Sequence, residues 1–299
     1  MRIFLTGATG FIGSHLVPEL LGAGHQVLGL ARSDAGAIQL EAAGVSVHRG
    51  DLEQPETLAS GAAAADAVIH CAFDHNFETF LENSRKDERN IAAMGGALEG
   101  THKPILLTSG IGIGTPLNGG LAREDILNPG HPNPRIATEL AAAGLIARRI
   151  DVRTIRLPQV HDRVKAGLIT PLIAEAKKAG AVAHVGEGQN RWAAAHVSDI
   201  AKLYLLALEK GEPGARDHGS VEEGVAARDI AEAIGKRTGL PVLSIGPEQV
   251  EKYFGSMAPF AGLDMTGSSK WTRERLGWEP TGTDLLSDLA AMDYSTAEG

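Results

Sequence analysis

One cysteine, three tryptophans, three tyrosines and seven phenylalanines are all that 299 residues contain of thiol and aromatic side chains. A lone Cys71 excludes an internal disulfide framework and fits a reducing compartment; set in an apolar stretch, it reads as core packing. The net charge of -9 argues against a general nucleic-acid binder, because neutralising phosphates needs a basic face. No stretch approaches the roughly 20 uninterrupted apolar residues of a membrane span. The amino terminus also lacks a basic segment followed by an apolar run and a small-residue cleavage site, so a cytosolic protein is expected. No His/Cys/Glu spacing suits zinc or iron, and no metal is expected.

What is present is a rhythm. Apolar runs of strand length at 3–5, 26–30, 45–48, 67–71, 105–108 and 152–157 alternate with helical patterns at about 12–21, 34–43, 78–99 and 135–149. Such alternation predicts a parallel sheet covered on both faces. Pro18 lies inside the first helical pattern and predicts a local kink. After Pro158 the rhythm changes. Helices are expected at 163–180, 198–210, 226–238, 247–254 and 268–276, with a short strand at 241–245. The expected class is therefore α/β, a doubly wound parallel sheet with a smaller mixed C-terminal lobe. Residues 1–162 form the sheet domain, 196–217 return to it, and 163–195 with 218–299 form the lobe.

Gly7, Gly10 and Gly13 in "TGATGFIG" give G-x-x-G-x-x-G between the first strand and the first helix. The first glycine permits the tight turn, the second lets backbone N–H groups approach a pyrophosphate, and the third lets helix and sheet pack closely. A helix N-terminus adds unpaired N–H groups and the positive end of its dipole. Gly7, Thr9, Gly10, Phe11, Ile12 and Gly13 are thus the expected contacts to a dinucleotide. The second strand runs into "LGLARSD". Arg32 and Ser33 stand where an acidic residue would bind the ribose hydroxyls of NAD, and an arginine there suits the 2′-phosphate of NADP. NADP(H) is favoured over NAD(H); the alternative has Arg32 solvated and Asp34 turned in to bind NAD.

Together "TGATGFIGSHL", "RGDL" at 49–52, "VIHCA" at 68–72, "LLTSG" at 106–110, "IRLPQV" at 155–160 and "LGWEP" at 276–280 resemble the extended short-chain dehydrogenase/reductase family, in its NAD(P)-dependent epimerase/dehydratase-like form. They keep the family's order over nearly the whole chain. The resemblance implies a Rossmann sheet with a C-terminal substrate lobe, and a homodimer packed through helices near 78–99 and 135–149. It also implies that Asp51 and Leu52 lie beside the adenine and that His70, Cys71 and Ala72 line the ribose and nicotinamide side. Thr108 ends the fifth strand there, and Pro158 and Val160 follow the strand that flanks the nicotinamide.

The family's Tyr-x-x-x-Lys is missing: none of Tyr204, Tyr253 and Tyr294 precedes a lysine by four residues. Counting back from "IRLP" leads to "HPNPRIATE". One register sets His131 at the tyrosine position, Arg135 at the lysine position and Glu139 at a glutamate common in the family; a second sets Arg135 and Glu139 at the first two. The family's serine corresponds to Ser109 or to Gly110. The pattern therefore resembles the atypical branch. Imidazole titrates near neutrality, which makes His131 a candidate proton donor; the plainer reading is a capping histidine. "FDHNF" at 73–77 follows the fourth strand, where loops meet the ligand crevice. Asp74 and His75 are further catalytic candidates there, with Phe73, Asn76 and Phe77 toward substrate, although Asp74 and Asn76 could simply cap the next helix.

In the lobe, Arg191 of "GEGQNRW" stands where the family contacts the diphosphate of a nucleotide sugar, but the later arginine that completes such a site is not evident. The apolar, aromatic "KYFGSMAPFAGLDM" at 252–265 suits a pocket wall, with Met257, Phe260, His161 and Trp192 as candidate lining. These features lead first to an oxidoreductase that moves hydride to or from a carbonyl, imine or activated C=C carbon of a small organic molecule. A degraded NADPH-binding sensor or scaffold is the second reading, and a nucleotide-sugar epimerase or dehydratase the third.

Overall fold

A computed structural model describes residues 1–294. The segment RIFLT forms β1 (Arg2–Thr6), whose last four residues are buried, as befits a parallel strand covered on both faces. The chain then alternates through α1 (Phe11–Gly22), β2 (Gln26–Ala31), α2 (Asp34–Ala42), β3 (Ser46–Arg49), α3 (Pro55–Ala63), β4 (Ala67–His70), α4 (Phe80–Leu98), β5 (Ile105–Gly110), α5 (Ile136–Ala147) and β6 (Val152–Leu157). After β7 (Gln159–His161), α6 (Ile169–Ala179), β8 (Val182–Val185), β9 (Arg191–His196) and α7 (Val197–Lys210), β10 (Arg216–His218) joins the same sheet beside β6. The order is β10-β6-β5-β4-β1-β2-β3 and every pairing is parallel. Strand order reverses between β1 and β4, which opens a crevice at the carboxyl ends of the strands.

One face of the sheet is packed by α1 and α7 through Leu16, Leu20, Leu203 and Tyr204. The other is packed by α3, α4 and α5 through Leu58, Ile91, Met94 and Leu145. The smaller lobe continues with β11 (Glu222–Ala226), α8 (Ala227–Thr238), β12 (Val242–Ile245), α9 (Val250–Phe254), α10 (Lys270–Leu276) and α11 (Leu285–Ala291). It holds a mixed sheet β11-β9-β7 and a parallel pair β12-β8.

Helix α1 runs on through Pro18, as the pattern over 12–21 expected. Two details depart from the sequence reading. The helix expected from 163 starts only at Ile169, because Asp162 Oδ1 accepts the N–H groups of Val164 and Lys165 and turns the chain first. Helix α3 was not expected, since its Ala/Gly-rich segment has little amphipathic contrast. Its Gly61 lies flat on Phe4, where a Cβ would fall 2.4 Å from the ring.

Candidate active site

Gly7 has φ +71°, and a Cβ there would sit 2.8 Å from the Ala72 nitrogen; at Gly13 it would sit 2.1 Å from the Gly7 oxygen. The loop is thus held against β4 and against the start of α1 by backbone alone. Gly10 N–H donates to Gly7 O at 2.9 Å. No side chain caps α1, so the first-turn N–H groups over Phe11, Ile12 and Gly13 are left for an anion. Thr9 and Gly10 are exposed beside them. A dinucleotide diphosphate fits this cradle.

At the end of β2, Ser33 caps α2 by accepting the Gly36 N–H at 3.2 Å. Arg32 extends into solvent with Nε 4.0 Å from Asp51 Oδ2. Asp34 is the acid of this turn, and its Oδ1 accepts from Arg49 Nη2 at 2.5 Å. Asp51 turns the chain locally, accepting the Glu53 N–H at 3.0 Å, and the Leu52 carbonyl accepts from Asn90 at 3.1 Å.

A denser network lies across β1, β4 and β5. Thr108 Oγ1 donates to the His70 carbonyl at 2.7 Å and meets the Tyr204 hydroxyl at 2.6 Å. Arg135 stands at the amino end of α5; its Nη2 donates to the Thr108 carbonyl at 2.5 Å and its Nη1 to Asp87 Oδ2 at 3.1 Å. The guanidinium lies 3.9 Å over the Phe73 ring, a cation–π stack. Burial pushes the Cys71 thiol up to about 11, so it stays protonated, in keeping with a packing role. Pro158 and Val160 are buried, so their backbone rather than their side chains is left to meet a ligand.

Aromatic rings form the wall beyond Arg135. Phe73 meets Phe80 at 5.7 Å and His75 at 5.1 Å, while Phe77 meets Phe80 and, from the lobe, Phe260, each at 5.6 Å. Four of the chain's seven phenylalanines therefore gather here. His75 is exposed at the rim, with the positive charges of Arg135 and Lys165 nearby. Asp74 and Asn76 behave as the plainer reading expected. Asp74 Oδ1 accepts the Asn76 N–H and Asn76 Oδ1 accepts the Glu78 N–H, each at 3.0 Å, and Lys86 Nζ lies 3.5 Å from Asp74 Oδ2.

Several expected site residues are placed elsewhere. Ser109 is buried on the opposite face of β5 from Thr108 and donates to Glu139 Oε1 at 2.8 Å, which corrects its assignment as a substrate-binding serine. Glu139 is held bidentately by Arg156 at 2.7 and 2.6 Å. Met257 is fully buried behind Phe77 and Phe260. Trp192 lies in the lobe core and donates Nε1–H to the Leu263 carbonyl at 3.0 Å. His161 is fully buried with Nδ1 2.8 Å from Asp288 Oδ2. Met257 and His161 are corrections, since both are enclosed, whereas Trp192 lines a cavity inside the lobe with Leu172, His184 and Ile230, apart from the aromatic wall. Arg191 is exposed with Nη2 3.9 Å from Asp264. His131 is half-buried in the loop before α5, its Nδ1 accepting the Asn133 N–H at 3.1 Å; burial lowers its pKa against the opposing pull of Glu139.

The sequence reading missed Asp87, Thr138 and Phe80. Asp87 sits in the charged run "SRKDERN", which reads as a solvated face. The available signal was spacing: Asn83, Ser84, Asp87 and Asn90 extend the buried stripe of Ile91, Met94 and Leu98 at helical intervals.

Residues 7–185 match the sequence model of the NAD(P)H-binding family. An uncharacterised protein of Schizosaccharomyces pombe is 41% identical over 295 residues, spanning 98% of this chain and 100% of its own length. A 2-alkyl-3-oxoalkanoate reductase of Stenotrophomonas maltophilia is 27% identical over 96% of this chain and 88% of its own. In fold, the UDP-glucose 4-epimerase of Thermus thermophilus, solved with NAD, superposes with a TM-score of 0.75 at 20% identity, covering 98% of this chain and 97% of that one. The glycine cradle, the reversal of strand order beside it and these likenesses agree: the chain shares the fold of that NAD-bound epimerase, and it belongs to the NAD(P)H-binding family.

Proposed function

We propose that this protein is an NADP(H)-dependent oxidoreductase that moves hydride to or from a carbonyl, imine or activated C=C carbon of a small apolar molecule. The observation that carries this reading is Arg135, clamped between Asp87, the Thr108 carbonyl and the Phe73 ring at the mouth of the crevice. Two of its N–H groups are engaged there, out of the five a guanidinium offers, and the rest are available to an oxygen or nitrogen lone pair. When bound, the nicotinamide supplies or accepts the hydride. The rings of Phe73, Phe77, Phe80 and Phe260 hold an apolar substrate and exclude water.

Arginine stays charged and donates no proton, so another group must complete the reaction. Tyr204 is fully buried and bonded to Thr108, and Tyr294 donates to the Leu289 carbonyl at 3.1 Å. His131 is the first candidate and His75 the second. Against a panel of apolar carbonyls and imines, followed by NADPH absorbance, His131→Ala is expected to lose 10²–10⁴-fold in kcat, the usual order for a general acid. Turnover that survives in the mutant transfers the role to His75. Tight NADPH binding with no turnover of any compound by the wild type would favour the sensor reading instead.

The NADP preference rests on the pairing of Asp34 with Arg49, which leaves Arg32 and Ser33 to face a 2′-phosphate. Arg32→Gln is expected to weaken NADPH about 10-fold or more, the worth of one charge-assisted hydrogen bond, and to leave NADH unchanged. Fluorescence titration with both cofactors reads this directly, and an equal loss for the two would defeat the preference. The exposed Leu81 on α4 and Leu140 on α5 support pairing of two copies through these helices. The nucleotide-sugar reading is weaker, since Arg191 faces Asp264 and the aromatic wall has no second arginine.

A further inference from the structure

A carboxylate buried among apolar neighbours is costly unless hydrogen bonds and an opposite charge compensate it. Asp87 is 4% exposed. Its Oδ1 accepts from His70 Nε2 at 2.9 Å, and its Oδ2 accepts from Arg135 Nη1 at 3.1 Å and from Thr138 Oγ1 at 2.6 Å. Burial pushes its pKa up, but the Arg135 charge and the bonds from His70 and Thr138 outweigh this and hold it below the usual range, so it is ionised.

The consequences run outward along hydrogen bonds. His70 Nε2 donates to Asp87, its Nδ1 lies 2.7 Å from Thr6 Oγ1, and Thr6 Oγ1 in turn accepts the Ala72 N–H at 3.2 Å. Thr6 immediately precedes Gly7, and Ala72 is the backbone against which Gly7 lies. On the other side, Arg135 ties the carboxylate to the Thr108 carbonyl at the end of β5. One side chain of α4 therefore sets the ends of β1, β4 and β5 and fixes the plane of the guanidinium over Phe73.

We propose that Asp87 is a positioning residue of this site: acting through Arg135 and His70, it orders the half of the crevice that receives the nicotinamide end of the cofactor and the substrate. This rests on the assignment of the β4–β5 side to the nicotinamide, and not on any particular substrate. Asp87→Asn keeps the shape but replaces one acceptor by a donor. Either His70 Nε2–H, or Arg135 and Thr138, then faces an N–H group, and in both orientations the guanidinium loses its counter-charge.

The test compares whole and half ligands without any turnover. NADPH and 2′,5′-ADP are titrated in parallel, with NADH and ADP alongside so that a wrong cofactor preference is seen separately. Asp87→Asn is expected to weaken NADPH about tenfold, the loss of one hydrogen bond to a charged group, while 2′,5′-ADP binding stays within about twofold. In an Arg135→Ala background, Asp87→Asn is expected to change NADPH affinity little further, since linked residues are non-additive. An equal loss for whole and half ligands, full additivity with Arg135→Ala, or unchanged NADPH binding would each overturn the proposal. If Asp87→Asn does not fold, Thr138→Val removes one bond to the same oxygen and must show the same split, smaller in size. Failure of every substrate to turn over bears on the oxidoreductase reading alone.

Discussion

Gly13→Ala is expected to abolish useful cofactor binding, lowering NADPH affinity on the order of 100-fold or more. The added Cβ would lie 2.1 Å from the Gly7 oxygen and 2.8 Å from Ala8 Cα, and both are backbone atoms that no rotamer change can move aside. Either α1 retreats from the sheet or the loop lifts. Both responses turn the first-turn N–H groups away from the diphosphate, and two charge-assisted bonds at about 1.5–3 kcal/mol each account for the loss. Overpacking of a close contact costs a further 1–3 kcal/mol or so of stability. Gly22→Ala, at the far end of α1, is the internal control, because its Cβ would meet nothing within 4 Å. Titration of the two variants with NADPH should therefore rank Gly13→Ala well below Gly22→Ala. A Gly13→Ala protein that binds NADPH like the wild type would show that the cradle does not hold the cofactor.

The second large effect concerns folding. Glu139 is 1% exposed and Arg156 is fully buried. Around their bidentate pair gather Ser109 Oγ, Arg216 Nε at 3.4 Å, and the carbonyls of Arg123 and Ile126, which accept from Arg156 at 3.1 and 2.8 Å. His218 completes the cluster with Nε2 3.1 Å from Arg156 Nη1 and Nδ1 2.8 Å from the Ser268 carbonyl. Burial and the Arg156 charge bring its pKa to about 3, so it stays neutral and accepts. Glu139→Ala strands the guanidinium without its counter-charge, and breaking a buried pair from one side costs about 3–5 kcal/mol, which for a chain of this size lowers Tm by on the order of 10 °C. Glu139→Leu combined with Arg156→Met should recover part of that loss, although the two loop carbonyls remain unpaired. Urea unfolding of the three proteins decides it. A cost below about 1 kcal/mol for Glu139→Ala would mean that water or a rearranged side chain compensates the charge.

How far such a site can be read beforehand depends on which physical rule governs each residue. The glycine spacing and the parallel strands were legible because they follow from backbone sterics and two-sided burial. Arg135 could be singled out by its spacing in "HPNPRIATE", though its partner Asp87 could not. Asp87 lies in a run of charges, and only the packing of α4 turns it inward. Thr108 and Ser109 show a different limit: neighbours in a strand point to opposite faces, so one serves the crevice and the other the α5 side, and the sequence does not say which. Met257 failed for a third reason. Apolar composition announces burial but not whether the buried surface faces a core or a ligand.

The sheet is closed by β10, which arrives only after α6, β8, β9 and α7 have been laid down. The lobe's first strands are therefore spliced into the larger half rather than appended to it. Cutting the chain after β7 would bare β6 as an open edge, strip Arg216 from Glu139 and leave Arg153 without the Ala207 and Leu208 carbonyls it donates to. The two halves are not separable modules. Exchange of a substrate lobe between relatives of this protein must respect two junctions, one on each side of the insertion, and a single-junction chimera inherits an unfinished sheet.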